Sequence, residues 1–347
     1  MSAPLRTHGG PDAQGPARYD FSTNSNACGP CPQALQAVQQ ADATRYPDAS
    51  YTELRATLAQ FHGVEPGRIV LAGSASEFIF RITAWVRQHG GQTVHLPVHA
   101  YGDYAHAAQA WGLTTVSDAD AADLVWACEP SSPLGLAHRG WPAWLVAQGV
   151  PGASGDAPLV LDCAYSPLRL QGVPSLSASQ RDRVWQLYSP NKALGLTGVR
   201  ASYAIAPLAA QAAVAELDAV APSWIIGAHG VAMLQAWTRS DTQAWLQTSL
   251  LTLHDWKQRQ ERVLQSLGWT VLTSDATFFC AQLPAGVDVR ALCTQLRAQV
   301  IQLRDATSFG LPGWVRLGTL PPQAQDALVE ALEMAHSRAM PLMESSQ

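Results

Sequence analysis

The sequence predicts an α/β fold, a mixed and mostly parallel sheet between helices with a smaller α+β domain, on three observations. From Pro32 onward, segments of about ten to fifteen residues with apolar side chains at three- and four-residue spacing alternate with short apolar runs. Those runs are mostly bounded by Pro, Gly, Asp or Ser and are largely apolar rather than alternating, as strands covered on both faces are. After Pro222 the pattern changes to long helices followed by further short strands, the mark of a second unit.

In chain order, the Gly/Pro-rich first sixteen residues read as an arm. Residues 1–31 are expected to belong with the small domain as a cover over the active site, residues 32–235 to form the large domain and residues 236–347 the small one. Helices are expected at Pro32–Ala41, Tyr51–Phe61, Ser76–His89, Asp103–Trp111 and Leu208–Val220, with Ser76 and Asp103 near plausible helix starts. Strands are expected at Arg68–Ala72, Thr93–Leu96, Leu124–Ala127, Leu159–Leu161, Val184–Leu187 and Ala201–Ile205. Gly152–Ala157 reads as the clearest internal loop. The second unit is expected to hold helices Ala228–Arg239, Asp241–Leu267, Val287–Ala298 and Pro322–His336. Its strands fall at Thr270–Leu272, Thr277–Gln282, around Gln299–Leu303 and at Trp314–Leu317.

Composition narrows the function. Hydrophobic residues make up 47% of the 347 and charged residues 14%, which excludes a disordered chain. With 22 basic and 27 acidic residues the net charge is −5, and no basic block supplies a nucleic-acid surface. No apolar stretch approaches the roughly 18 residues of a membrane span, and the N-terminus lacks a signal-peptide core. Six cysteines in such a chain point to a reducing cytoplasm and free thiols. Cys28 and Cys31 form a CxxC without a second pair or a nearby His, so no metal site is expected.

The chemistry concentrates around a lysine. Only Lys192 and Lys257 occur in the chain, so any Schiff-base chemistry must use one of them. Lys257 falls inside a long helix and reads as part of a solvated face. Lys192 lies in Ser189-Pro190-Asn191-Lys192-Ala193-Leu194-Gly195, followed by Gly198 and Arg200, where glycines admit a ligand close to the backbone. Ser189 and Arg200 offer a hydroxyl and a fixed charge to a phosphate. A lysine that binds pyridoxal 5'-phosphate needs a carboxylate at the ring nitrogen and a donor at the phenolic oxygen. Leu159-Val160-Leu161-Asp162 puts an acid at the end of a buried strand, with Tyr165 in the loop after it.

Asp162-Cys163-Ala164-Tyr165, with Ser189 three residues before Lys192 and Arg200 eight after it, resembles the cofactor signature of the class I/II aminotransferase family, pyridoxal-phosphate fold type I. The likeness extends over nearly the whole chain. It implies that Lys192, Asp162 and Tyr165 are catalytic, and that Ser74, Ala75 and Ser76, in Gly73-Ser74-Ala75-Ser76-Glu77, bind the cofactor phosphate at a helix start. It implies that Tyr101 stacks on the cofactor ring and that Tyr46, in Arg45-Tyr46-Pro47-Asp48, reaches the neighbouring subunit of a homodimer. Arg316, in Trp314-Val315-Arg316-Leu317, resembles the arginine that grips the substrate carboxylate. Glu129-Pro130-Ser131-Ser132-Pro133-Leu134-Gly135 departs from the family pattern, since Ser132 stands where an asparagine usually donates to the phenolic oxygen.

Thr7-His8-Gly9-Gly10, Asp20-Phe21-Ser22 with Asn24 and Asn26, and Leu303-Arg304-Asp305-Ala306-Thr307-Ser308-Phe309 resemble the threonine-phosphate decarboxylases of cobalamin biosynthesis. This implies decarboxylation of a small phosphorylated amino acid, with His8, Asn26 and Arg304 at the phosphate. The alternatives are a true aminotransferase similar to those of histidinol phosphate, and a non-catalytic homologue that binds the cofactor.

Overall fold

The computed structural model describes residues 8–146 and 157–339. The arm enters through β1 (Tyr19–Asp20), and α1 (Pro32–Gln39) and α2 (Thr52–His62) follow. Alternation then begins with β2 (Ile69–Ala72), α3 (Ala75–Gln88), β3 (Thr93–His95), α4 (Gly102–Trp111), β4 (Thr114–Val116) and β5 (Val125–Cys128). After a short α5 (Ala143–Val146) come β6 (Leu159–Asp162), α6 (Ala178–Arg181), β7 (Trp185–Tyr188), β8 (Ser202–Ile205) and α7 (Gln211–Ala219). The expected loop Gly152–Ala157 lies, except for Ala157, outside the described residues, as does Thr7.

Strands β2 to β8 form one seven-stranded sheet in the order β2-β8-β7-β6-β5-β3-β4. The pairs from β7 through β4 are parallel, whereas β8 runs antiparallel to both β7 and β2. Its strands are apolar because both faces are covered. Along β2, Val70 and Ala72 join a core with Phe78, Tyr104 and Trp126, while Ile69 and Leu71 join another with Leu54 and Leu58. Likewise Val160 of β6 faces the first core, and Leu159 and Leu161 the opposite side. The α/β expectation is borne out.

The chain continues through α8 (Ala228–Trp237) and α9 (Ser240–Ser266) to β9 (Thr270–Val271), β10 (Phe278–Gln282), α10 (Val289–Ala298), β11 (Ile301–Gln302), β12 (Arg304–Asp305), β13 (Trp314–Gly318) and α11 (Pro322–Ala339). Four of these strands make an antiparallel sheet in the order β12-β13-β10-β9, while β11 pairs in parallel with β1 of the arm. Val315 and Leu317 point into a core with Phe279 and Leu296. The intervening Arg316 therefore faces the other way, as period-two alternation requires.

Lys257 corrects the reading of a solvated face. It is buried on α9, donates to the Ser274 carbonyl and lies 3.6 Å from Glu261. Asp275 N in turn donates to Gly135 O at 2.7 Å. Gly135 has φ +71°, and a Cβ there would sit 2.0 Å from Ser274 Oγ, so only glycine fits this junction. The turn that carries Ser132 is thus hung on the loop before β10. Among the described residues, no helix is long and apolar enough to cross a membrane.

Candidate active site

The site forms where β5, β6 and β7 end and where antiparallel β8 begins, at the carboxyl edge that binds ligands in open α/β sheets. One pocket there is lined by Ser74, Tyr101, Asp162, Tyr165, Lys192 and Arg200. Ala75, Ser76, Ser132 and Ser189 line it too, so it gathers every residue expected to hold the cofactor except Tyr46.

Each position has a local cause. Ser74 caps α3, with Ser76 near the helix start as expected: the Ser74 hydroxyl accepts from Glu77 N at 3.1 Å. The first-turn amides of Ala75 and Ser76 lack helical acceptors and are available to an anion at the positive end of the helix. Ser76 Oγ lies 3.3 Å from Tyr101 OH. Across the pocket, Ser189 Oγ lies 3.2 Å from Ser202 Oγ at the start of β8, and exposed Arg200 supplies a positive charge. Helix amides, hydroxyls and a guanidinium make a donor set that fits a phosphate.

Asp162 continues the face of β6 that carries Val160, toward α4. Its Oδ2 accepts from Tyr104 OH at 2.6 Å and its Oδ1 from Ala164 N at 2.9 Å. Burial raises its pKa above the ordinary carboxylate value, opposed by the Tyr104 hydrogen bond and by the charge of Lys192. Tyr104 is held by stacking on Trp126, with centroids 4.5 Å apart. A buried carboxylate with few partners fits a cationic ring nitrogen placed against it. Lys192 Nζ lies 5.6 Å from the centroid of the Tyr165 ring, which packs edge-on against Phe278. These residues together fit pyridoxal phosphate.

A larger cavity of about 720 Å³ adjoins the pocket and shares Lys192, Tyr165, Ser132 and Arg200 with it. Arg316, Arg304 and His8 line this second space. Arg316 Nη2 donates to Ser22 O at 2.8 Å, and Nη1 lies 3.4 Å from Ser132 Oγ. Arg304 donates to Asp305 O and to Ser308 Oγ, each at 2.7 Å, rather than to the Asp305 carboxylate. The two arginines face each other across the β12–β13 pair, and both stack on Phe309, 4.8 Å and 5.4 Å from its centroid. Burial and then the charge of Arg316 pull Arg304 down to about 10, and burial lowers Arg316. His8 lies 6.0 Å from the Tyr101 ring.

One expectation changes. Asn26 does not line the cavity: its side chain donates to Ala193 O at 3.1 Å and Ser249 Oγ at 2.7 Å and accepts from Cys28 N at 3.1 Å. Its role is to tie the arm to the Lys192 loop. Tyr46 lies outside both pockets of its own chain, 77% exposed and stacked on Trp224 at 4.4 Å. Sequence reasoning assigned no role to Tyr104, Asn24, Asn191 or Ser202, all of which touch the site or line it. Tyr104 stands three residues after Tyr101, one helical turn on, which is the signal that could have found it.

A family profile described as aminotransferase class I and II matches residues 18–129 and 117–332. The chain is 25% identical over 332 residues to a histidinol-phosphate aminotransferase of Jannaschia sp. (strain CCS1), covering 90% of this chain and 89% of that protein. It is 27% identical over 342 residues to another from Granulibacter bethesdensis, covering 92% of this chain and 90% of that protein. Among solved structures, the histidinol-phosphate aminotransferase from Sinorhizobium meliloti in complex with pyridoxal-5'-phosphate superposes with a TM-score of 0.75 at 23% identity, covering 93% and 92% of the two chains. The L-threonine-O-3-phosphate decarboxylase from Porphyromonas gingivalis superposes with a TM-score of 0.74 at 20% identity, covering 91% of this chain and 99% of that one.

Proposed function

Because the chain belongs to the class I and II aminotransferase family and is a pyridoxal-phosphate enzyme, we propose that it transfers the amino group of histidinol phosphate, or a close phosphorylated analogue, to a 2-oxo acid. The observation that carries the substrate class is the facing pair Arg304 and Arg316. Like charges opposite each other on adjacent strands repel. Two buried guanidiniums at one height in the cavity of Lys192 are stabilised by an anion that both can bind, and a phosphate dianion matches their forked donors. The curated relatives described above act, by name, on histidinol phosphate, and they favour amino transfer over the decarboxylation that the terminal motifs imply.

The cofactor supplies an electron sink for a bond broken at the substrate's α-carbon. In this reading Lys192 Nζ would take the proton lost from that carbon, Tyr165 would hold the phenolic oxygen, and Asp162 would supply a carboxylate to the ring nitrogen. Ser74, Ser189, Arg200 and the first turn of α3 would hold the cofactor phosphate, and Tyr101 would stack on its ring. Tyr46, exposed in its own chain, completes the site of a second copy in a homodimer. The arm with residues 236–347 forms the unit that closes over the large domain.

Decarboxylation of threonine phosphate is a second reading, favoured by the placement of His8 from the Thr7-His8-Gly9-Gly10 motif in the substrate cavity. One experiment separates the two. Purified holoenzyme is given histidinol phosphate with 2-oxoglutarate, and separately threonine phosphate alone. Glutamate is the expected product of the first. Carbon dioxide and aminopropanol phosphate from the second, without glutamate from the first, would establish the decarboxylase instead.

Arg316→Lys is expected to raise KM for the phosphorylated substrate by about tenfold or more while kcat changes less, because a single ammonium cannot reproduce a bidentate grip. Steady-state kinetics at varied substrate decide it. A KM unchanged by the substitution would remove Arg316 from substrate binding.

A further inference from the structure

Between the end of β3 and the start of α4 the chain meets the turn that joins β12 to β13. Among the described residues, a single hydrogen bond reaches residues 97–100: His99 Nδ1 lies 2.6 Å from Phe309 O. A carbonyl oxygen only accepts, so Nδ1 carries the proton and donates it. The ring packs over Gly310, where φ is +79° and a Cβ would sit 3.5 Å from Nδ1.

Each end of this bond carries part of the site. Tyr101, two residues after His99, is the N-cap of α4 and lines both pockets. Phe309 is the ring on which Arg304 and Arg316 both stack. It belongs to a tight turn, in which Phe309 N and Leu311 N donate to Ala306 O at 2.9 Å and 3.2 Å. Ala306 N donates in turn to Trp314 O of β13 at 2.9 Å. A shift of Phe309 is thereby a shift of the strands that bear the arginines.

We infer that His99 is a positioning residue, whose bond to Phe309 fixes the spacing between the anion site of Arg304 and Arg316 and the ring face of Tyr101. The inference rests on the reading of this cavity as the site of a phosphorylated amine. His99 lines neither pocket, so it acts through the two elements it joins. One element grips the substrate's phosphate and the other faces the cofactor, so the reacting carbon is aligned only while their spacing holds. A misplacement of about 1 Å costs up to roughly a hundredfold in rate. The neutral Nδ1–H form and the cation both donate to Phe309 O, so the bond is a fixed strut and not a pH switch.

The test compares the parent holoenzyme with His99→Leu, which keeps the bulk and removes the donor, and with His99→Asn, whose amide nitrogen stands as many bonds from Cα as Nδ1 does. KM and kcat are measured for histidinol phosphate with 2-oxoglutarate. Thermal midpoints and the circular dichroism of the visible cofactor band are followed as inorganic phosphate is added. In His99→Leu kcat is expected to fall roughly tenfold to a hundredfold while KM changes less than about threefold. Phosphate should still raise the midpoint of His99→Leu, but the change it produces in the parent's visible band should be lost. His99→Asn should recover most of kcat and the spectral response. An unchanged kcat in His99→Leu overturns the inference, as does a rise in KM alone or an equal loss in both variants. A parent band that phosphate leaves unaltered overturns it as well, and so does failure of both variants to fold, which assigns the bond to folding. If the parent does not turn over histidinol phosphate, the substrate reading fails by itself, and the phosphate response of parent and variants still decides the role of His99.

Discussion

Lys192→Ala is expected to lower turnover by roughly a thousandfold or more and to abolish the visible absorbance of lysine-bound pyridoxal phosphate. The size follows from the two duties proposed for one amine, covalent attachment and proton transfer, the second alone being worth about 10² to 10⁴ in rate. The chain makes this test unusually clean, because Lys257 is the only other lysine and its ammonium is already committed to the Ser274 carbonyl. Lys257→Met should keep the absorbance band and lose thermal stability, since it frees the loop that positions Gly135. A band that survives in Lys192→Ala and vanishes in Lys257→Met would reverse the assignment.

The second large effect is expected from Asp162→Asn. The amide keeps an oxygen for the Tyr104 hydroxyl and the shape of the site but removes the negative charge that would pair with the ring nitrogen. Activity should fall by about 10² to 10⁴, the range associated with positioned acid–base groups. The ligand-free protein should respond in the opposite sense. Burial raises the pKa of Asp162 above the ordinary carboxylate value, so the folded state holds the proton more tightly than the unfolded chain. Stability from this group is therefore greatest below the unfolded value and declines as pH rises through the folded one. In the cofactor-free protein, Asp162→Asn should flatten that decline. Denaturant midpoints of the two cofactor-free proteins across that range check it, and a parent whose stability rises with pH there, by an amount that Asp162→Asn removes, would contradict the stated direction.

Much of this site could be read before the fold was seen, for identifiable reasons. Lys192 stood out by scarcity, and Asp162 because a run of buried apolar residues ended in a charge. Lys257 was misread for a physical reason. The buried residues of α9 are Thr242, Leu246, Ser249, Leu253, Lys257, Gln260 and Leu264, a continuous stripe at three- and four-residue spacing. Four of the seven are polar, so a reading based on apolar periodicity sees no stripe there. Strand β4 escaped notice because Thr114 and Thr115 are exposed at the sheet edge and carry no buried-strand signal. Asn24 and Asn26 are indistinguishable by type and spacing. Only distant partners, Ala193 and Ser249 for one and none for the other, separate them.

The facing of Arg304 and Arg316 has a consequence for how such a site can change. Their meeting is set by the register of two short strands, since Arg304 pairs with Arg316 and Asp305 with Val315. Shifting β12 by one residue would turn Arg304 toward the opposite face and bring the carboxylate of Asp305 to the anion. Loop insertions between these strands that alter the register would therefore invert the charge of the cavity wall, whereas side-chain replacements within the existing register would adjust it in steps. New substrates for this scaffold are accessible by point substitution on β12 and β13, and are closed off to changes in the length of the turn that joins them.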